Sequence, residues 1–160
     1  MAFRAIYSVT GGKIPINGYG IAASEAFDRG DVVALNSDGV IAEAGAANAD
    51  VYGYALEGVT GGASLGPKTT VVLVCPFVDG VVYATTEVAE ASQAPLTTDI
   101  GTIRDLVVSS GAWGIAASAS ATAATPQFRV IDVDTIRNEW HVVIAPLEIS
   151  DVFQMVDAAV

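Results

Sequence analysis

The sequence predicts a mainly β fold, a single-domain antiparallel β-barrel or sandwich with little helix. Short runs rich in valine, isoleucine and alanine recur along the chain and are bounded by glycine or aspartate, which is the pattern of short strands joined by turns. Asp-Gly pairs at residues 38–39 and 79–80 favour tight turns because glycine readily adopts positive φ. A chain of 160 residues is long enough for one substantial core, so one β-rich domain is expected.

Residues 29–59 organise the predicted fold, because their pattern indicates strand, turn, strand, loop and strand. The turn is predicted at Ser37, Asp38 and Gly39, between strands at residues 31–35 and 40–44, and a third strand follows at residues 51–59. Three further strand pairs are predicted at residues 69–78 with 81–86, 106–109 with 113–117, and 128–133 with 140–145. Apolar residues with helical spacing at 149–156 predict a short C-terminal amphipathic helix.

Composition and charge exclude several classes of partner. The chain carries seven basic and eighteen acidic residues, for a net charge of −11, and so few scattered basic residues do not support nucleic-acid binding. The strongest apolar run, residues 71–78, is too short to span a membrane. No secretory signal is visible, so a soluble protein made in a cytoplasm is expected. Cys75 is the single cysteine and is predicted to be a buried, inert thiol.

Residues 1–24 differ in charge from the rest of the chain. They hold two basic and no acidic residues, a charge of +2, whereas residues 25–160 hold five basic and eighteen acidic residues, a charge of −13. Two interpretations are open: a first strand with a flexible loop, or an extended N-terminal arm that docks by adding a strand to an exposed sheet edge. The second divides the chain into a docking arm, residues 1–24, and a β-rich domain, residues 25–160. Its candidate docking residues are Phe3, Arg4, Ile6, Tyr7, Lys13, Ile14 and Ile16.

The residues predict no catalytic, cofactor-binding or metal-binding set. His141 and Cys75 are the only histidine and cysteine, which leaves no transition-metal constellation and no base beside a nucleophile. We expect His141 to be a surface or satisfied core residue of a strand, and Trp113 and Trp140 to be large core residues. Asp132 and Asp134 share one face of a regular strand, where they would hold a cation or act as acid and base. Their place before a turn instead favours a solvated or Asx-turn role.

Two short motifs are not supported by their context. Gly18, Gly20 and Ala23 match the dinucleotide pattern G-x-G-x-x-A, but the pattern requires a buried strand before it and a helix after it. Residues 29–31 spell the adhesion tripeptide Arg-Gly-Asp, which we interpret as the turn that opens the next strand.

A resemblance rests on Gly30-Asp31-Val32-Val33-Ala34-Leu35, Asp38-Gly39 and Gly53-Tyr54-Ala55-Leu56-Glu57. This order of strands and turns resembles the head decoration (capsid cement or stabilisation) proteins of tailed bacteriophages, over residues 20–86 and more loosely over residues 128–144. The resemblance implies a compact β-tulip or barrel-like domain that assembles as a trimer at three-fold positions of the shell and docks through an N-terminal arm. Residues 96–127 have no counterpart in this pattern.

The predicted function is therefore that of a non-enzymatic virion protein on the outer capsid surface, made in the host cytoplasm. We expect it to bind the major capsid protein as a homotrimer and to stabilise the shell by clamping neighbouring subunits, with no nucleic acid, membrane, cofactor or small-molecule substrate. Three alternatives stay open. They are a tail, baseplate or secreted module that binds carbohydrate or mediates adhesion, an oligomeric hydrolase with a site shared between subunits, and a β-rich carrier module.

Overall fold

The computed structural model describes residues 3–36, 39–44, 51–60, 71–86, 94–119 and 127–145. Within these ranges the chain forms short strands and one turn of 3₁₀ helix at Thr97–Asp99. The strands are β1 Phe3–Ser8, β2 Asn17–Ile21, β3 Ala26–Phe27, β4 Val32–Leu35, β5 Val40–Glu43, β6 Val51–Ala55, β7 Val59–Thr60, β8 Val71–Pro76, β9 Val81–Thr85, β10 Ile103–Ser109, β11 Ala112–Ile115, β12 Gln127–Asp134 and β13 Glu139–Ile144. The helix predicted at 149–156 lies outside the described residues. Among the described residues, none forms a helix capable of crossing a bilayer.

Two sheets confirm the predicted mainly β fold. One closes into a five-stranded barrel in the order β2-β5-β4-β6-β8, and the other has six strands in the order β1-β9-β13-β12-β10-β11. Neighbouring strands of these sheets are antiparallel, except that β2 and β5 run parallel. A small ribbon of β3 and β7 completes the described strands. The fold is thus a mostly antiparallel barrel joined to a second, fully antiparallel sheet.

The barrel interior is filled by side chains of small and medium size. Val33 of β4 and Ala55 of β6 are fully buried there. The other buried side chains of this cluster are Ile21, Phe27, Ile41, Val72 and Val74. A five-stranded barrel has a narrow interior that side chains of this size can fill, which accounts for the predominance of valine and alanine in the barrel strands.

A second, larger core lies between the outside of the barrel and the six-stranded sheet, and we call it the shared core. Val32 and Ala34 of β4 belong to it, although Val33 between them faces the barrel interior, because successive side chains of a strand point to opposite faces. The barrel also contributes Tyr54 and Cys75. The six-stranded sheet contributes Phe3, Val81, Tyr83, Leu106, Trp113, Ile115, Phe128, Val130, Trp140 and Val142. The predicted core roles of the two tryptophans are therefore confirmed.

Strands β6 and β8 approach each other closely at Gly53. A Cβ atom at this position would lie 2.3 Å from the carbonyl oxygen of Cys75 and 2.7 Å from Cα of Pro76. Because both atoms belong to the backbone, a side chain there would force the two strands apart. Gly53, one of the residues on which the resemblance rests, is therefore required for close packing of two barrel strands.

The strand pairs predicted from sequence are partly confirmed. β4 and β5 form the hairpin predicted at residues 31–44, and β10–β11 and β12–β13 are antiparallel hairpins. β4 also pairs with β6, for which no pairing partner was predicted. The predicted pairing of residues 69–78 with 81–86 is wrong, because β8 pairs with β2 and β6 in the barrel whereas β9 pairs with β1 and β13.

The turn at residues 79–80 exists, but it carries the chain from one sheet to the other. Gly80 has φ +76°, and the Tyr83 hydroxyl fixes the crossing by donating to the Pro76 carbonyl at 3.0 Å and accepting from the Val78 amide at 2.9 Å. The Asp-Gly pair therefore forms a turn between the two sheets and not the turn of a β-hairpin.

A buried polar network orders the segment before β10. The Asp99 carboxylate accepts hydrogen bonds from Arg104 Nη2 at 2.8 Å and from Trp140 Nε1 at 2.9 Å. The Arg104 guanidinium also donates to the carbonyls of Ala116 and Ala117. Since a buried charge is tolerated only when it is paired and hydrogen-bonded, this network ties the 3₁₀ turn, β10 and the end of β11 together.

The division into an arm, residues 1–24, and a domain, residues 25–160, requires correction. β1 pairs with β9 at an edge of the six-stranded sheet, and β2 closes the barrel between β5 and β8. Both strands therefore belong to the folded domain, as in the other interpretation, a first strand followed by a loop. Apolar pieces at the start of the chain do not reveal whether their partner is the same chain or another protein.

Replacing Phe3 with alanine tests whether β1 belongs to the core. We expect the free energy of unfolding to fall by about 3–5 kcal/mol, because the Phe3 ring packs on Phe77 and Phe128 with centroid distances of 5.1 and 5.4 Å. Chemical denaturation of the full chain measures the change. Tyr7→Ala, on the same strand but 48% exposed, is the matched control and should cost less than about 1 kcal/mol. Equal losses in the two variants would contradict a core role for Phe3.

The Tyr54 hydroxyl links the barrel to β1, and its ionisation is expected to destabilise the fold at alkaline pH. Its hydroxyl accepts a hydrogen bond from the Ala5 amide at 2.7 Å, and burial raises its pKa. The unfolded chain ionises its tyrosines near pH ~10, so stability that is complete below this pH is lost as the pH rises further. We expect Tyr54→Phe to be less stable at neutral pH by about 1 kcal/mol and to lose stability less steeply above pH ~10. The free energy of unfolding, measured by chemical denaturation at several pH values across this range, checks this prediction. An equally steep loss of stability with pH in Tyr54→Phe and the original chain would contradict it.

Candidate docking surface

The structure separates the seven predicted docking residues into buried and exposed groups. Phe3 is 1% exposed and is a core residue, so it is not available to a partner. Arg4, Ile6 and Ile14 are half-buried, and Ile14 packs against the shared core. Tyr7, Lys13 and Ile16 are exposed. The candidate docking surface therefore contracts to these last three residues and the exposed residues around them.

Arg4 makes its closest polar contact within the domain. Its Nη2 atom lies 2.5 Å from Oε2 of Glu139 on β13. Register explains how they meet, since Arg4 is opposite Ala84 on β9, and Ala84 is opposite His141 on β13. The small side chain of Ala84 lets the long arginine reach across β9. Arg4 thus joins three strands of the sheet, and its charge is partly neutralised.

The exposed residues of the N-terminal segment lie at the end of β1 and in the connection to β2. Tyr7, Val9 and Ile16 are 48%, 59% and 54% exposed. The position of the connection is fixed by a hydrogen bond from the Val9 amide to the Gly80 carbonyl at 2.8 Å. Large apolar side chains on a surface held in place by the backbone are suited to burial against a partner.

Two further exposed apolar residues lie on the barrel, and the sequence analysis did not identify them. Val71 and Leu73 of β8 are 61% and 45% exposed, whereas Cys75 on the same face is buried in the shared core. Their neighbours across the ladder are Gly20 and Gly18 of β2, which have no side chains to cover them. No pattern in the sequence distinguishes this surface, because both faces of β8 are apolar.

A tyrosine pair packs against the cluster inside the barrel, on the face of β2 opposite to Val71 and Leu73. The Tyr19 and Tyr52 hydroxyls are 2.5 Å apart and their rings meet edge to face, with centroids separated by 5.2 Å. Asn17 Nδ2 donates to the Tyr52 hydroxyl at 3.3 Å. The hydrogen bond with Tyr52, followed by burial, raises the pKa of Tyr19. These contacts fix the start of β2, directly after Ile16.

The carboxylates singled out in the sequence lie on the outer face of the β12–β13 hairpin. Asp134 Oδ1 accepts hydrogen bonds from the amides of Ile136 at 3.0 Å and Arg137 at 2.9 Å, which confirms the Asx-turn role. The backbone hydrogen bond from Arg137, together with that from Ile136, lowers the pKa of Asp134. Asp132 Oδ2 lies 3.8 Å from Nδ1 of His141. His141 is half-buried on the face opposite the core.

The remaining sequence candidates have structural roles. Cys75 is buried, and burial raises the pKa of its thiol. Gly18 and Gly20 lie within β2, and the residues that follow form a turn and not a helix, so the context required for a dinucleotide site is missing. Asp31 Oδ2 accepts from the Asp28 amide at 2.7 Å, which confirms the turn before β4.

No protein-family model matches this chain, and no curated protein matches it in sequence.

The two basic residues of the N-terminal segment are expected to differ in their effect on stability. Arg4→Gln removes the partly exposed ion pair with Glu139 and should cost up to about 1 kcal/mol. Lys13→Gln, at an exposed position, should change the free energy of unfolding by less than about 0.5 kcal/mol. Urea denaturation of both variants measures this difference. A greater loss in Lys13→Gln than in Arg4→Gln would contradict the assignment of Arg4 to the fold and Lys13 to the free surface.

Proposed function

We propose that this chain is a structural virion protein that decorates a tailed-phage capsid on its outer surface. In this proposal it binds the major capsid protein and stabilises the shell by clamping neighbouring subunits, without enzymatic activity. The resemblance that suggests it rests on residues that form β4, β6 and the turns beside them. These elements build the barrel, so the resemblance concerns the framework of the domain.

The observation that carries the proposal is the exposed surface of the N-terminal segment. Tyr7, Lys13 and Ile16 combine apolar area with a positive charge, whereas residues 25–160 are strongly acidic. A basic and apolar surface on an acidic protein favours one orientation towards an acidic partner, because complementary charge guides encounter and register. The acidic remainder would then face solvent and keep the decorated particle soluble.

The proposed assembly is a homotrimer on the shell. Val71 and Leu73 form an exposed apolar surface on the barrel that continues the face on which Cys75 is buried. Contact between copies through this surface would remove apolar area from water. A trimer whose copies each hold a shell subunit would resist rupture, because several contacts must break before any subunit leaves.

Quantitative mass spectrometry of particles purified from the source culture tests the proposal. We expect this chain to be present at a fixed simple ratio to the main shell protein. Particles that carry the Tyr7→Asp, Ile16→Asp double variant should hold about tenfold fewer copies, since each aspartate places a charge in the proposed contact. They should also rupture at a lower temperature than particles with the original chain.

Ile136→Asp is the matched control, because Ile136 is almost fully exposed at the tip of the β12–β13 hairpin, outside the proposed contact. Its copy number should equal that of the original chain. Absence of the chain from particles would overturn the proposal and favour a secreted binding module or an enzyme with a shared site. Loss of copies only in Ile136→Asp would move the contact to the hairpin.

A further inference from the structure

A β-bulge in the β12–β13 hairpin determines which side chains share its outer face. Val130 is opposite Val142 and Asp132 is opposite His141, so Ile131 is an extra residue on β12. In a regular strand Asp132 and Asp134 would follow Val130 into the core. The bulge reverses this alternation, and Val133 turns inwards against the shared core. Bulges commonly redirect side chains in this way.

The reversal brings Asp132 and Asp134 to the same face as two residues of β13. Asp132 is directly opposite His141, and Asp134 is directly opposite Glu139. One potential ligand atom from each of Asp134, Glu139 and His141 lies within 4.8 Å of the others, and all three residues are half-buried. No metal site was expected from the sequence, because a solvated or Asx-turn role was favoured for Asp132 and Asp134. His141 was not paired with Glu139 either, since the two residues are brought together with Asp134 only by the hairpin register.

We propose that Asp134, Glu139 and His141 bind one zinc-class divalent cation. An imidazole nitrogen with carboxylate oxygens suits Zn²⁺, whereas Ca²⁺ and Mg²⁺ take oxygen ligands. Tetrahedral bonds of about 2.1 Å separate the ligand atoms by roughly 3.4 Å, so side-chain rotations close the observed gaps. A fourth position remains for water. This site is independent of the proposed shell contact.

The charges around the cluster leave ligand atoms available. Asp134 Oδ1 is occupied by two backbone amides, and its Oδ2 lies 3.9 Å from Arg137 Nε. Glu139 Oε2 is bonded to Arg4, which leaves Oε1. Two carboxylates directly opposite each other on neighbouring strands repel, and a bound cation would replace this repulsion with attraction.

Asp132 has a supporting position next to the imidazole. Its Oδ2 is 3.8 Å from His141 Nδ1, while its Oδ1 accepts from the Val133 amide at 2.8 Å. A carboxylate beside a metal-binding histidine commonly orients the ring and strengthens it as a ligand. We therefore assign Asp132 as a positioning residue of this site. A cation held across β12 and β13 would also fasten the hairpin and stabilise the fold by mass action.

The single histidine allows a direct test on the full chain. Zn²⁺ is titrated into ¹⁵N-labelled protein while the imidazole resonances are followed, and isothermal calorimetry gives the stoichiometry. We expect one equivalent to bind and to shift the His141 signals, with little effect of Ca²⁺ or Mg²⁺ on them. His141→Gln and Asp134→Asn should each weaken Zn²⁺ binding about tenfold or more.

Glu43→Gln is the matched control, because Glu43 is an exposed carboxylate on β5 of the barrel and its removal changes the net charge equally. The charge match is with Asp134→Asn, which also removes one negative charge. Glu43→Gln should bind Zn²⁺ as tightly as the original chain. Three results would each overturn the proposal. They are no binding at millimolar Zn²⁺, binding that leaves the imidazole signals unmoved, and equal affinity in His141→Gln. The titration follows the metal alone, so its result does not depend on whether the chain is found on particles.

Discussion

Burial of the barrel strands on both faces is the constraint on which the described structure depends. β4 places Val33 in the barrel and Val32 and Ala34 against the six-stranded sheet. β8 does the same with Val74 and Cys75. At these residues the strands have no face for solvent, so the barrel requires the second sheet to cover them, whereas Val71 and Leu73 of β8 lie outside this cover and are exposed. This requirement explains the high apolar fraction of 52% in a chain of modest size, because two cores share the same strands.

The N-terminal segment illustrates how this constraint changes the interpretation of a sequence feature. Its low acidity and apolar pieces suggested an arm for another protein, yet β1 covers the shared core with Phe3 and β2 closes the barrel. Arg4 serves the same architecture by reaching Glu139 across β9. The exposed side chains of this segment form a surface of the folded domain, and they do not belong to an arm that extends from it. A rigid surface of this kind loses less conformational entropy on binding than an arm that must be ordered.

The hairpin of β12 and β13 shows where sequence reasoning about a site stops. Alternation indicated that Asp132 and Asp134 share a face, and this is correct in the structure. It did not indicate which face, because one inserted residue at Ile131 reverses the answer. Nor could it place Glu139 beside His141 and Asp134, since this requires the hairpin register. The sequence shows that these three residues have side chains able to bind a metal, but it does not show that they lie close together.

The sequence alone determined the strand-rich class, most strand positions and the turns at residues 28–31, 79–80 and 134–137, because local alternation and glycine or aspartate preferences act over a few residues. It also indicated the core roles of Trp113 and Trp140, since large aromatic side chains gain most from burial. Only the tertiary structure assigned strands to sheets, and it sent β8 and β9 to different sheets despite the turn between them. That assignment depends on packing between residues far apart in the chain. An apolar strand could pack in either sheet, so its own residues do not indicate which strand it pairs with.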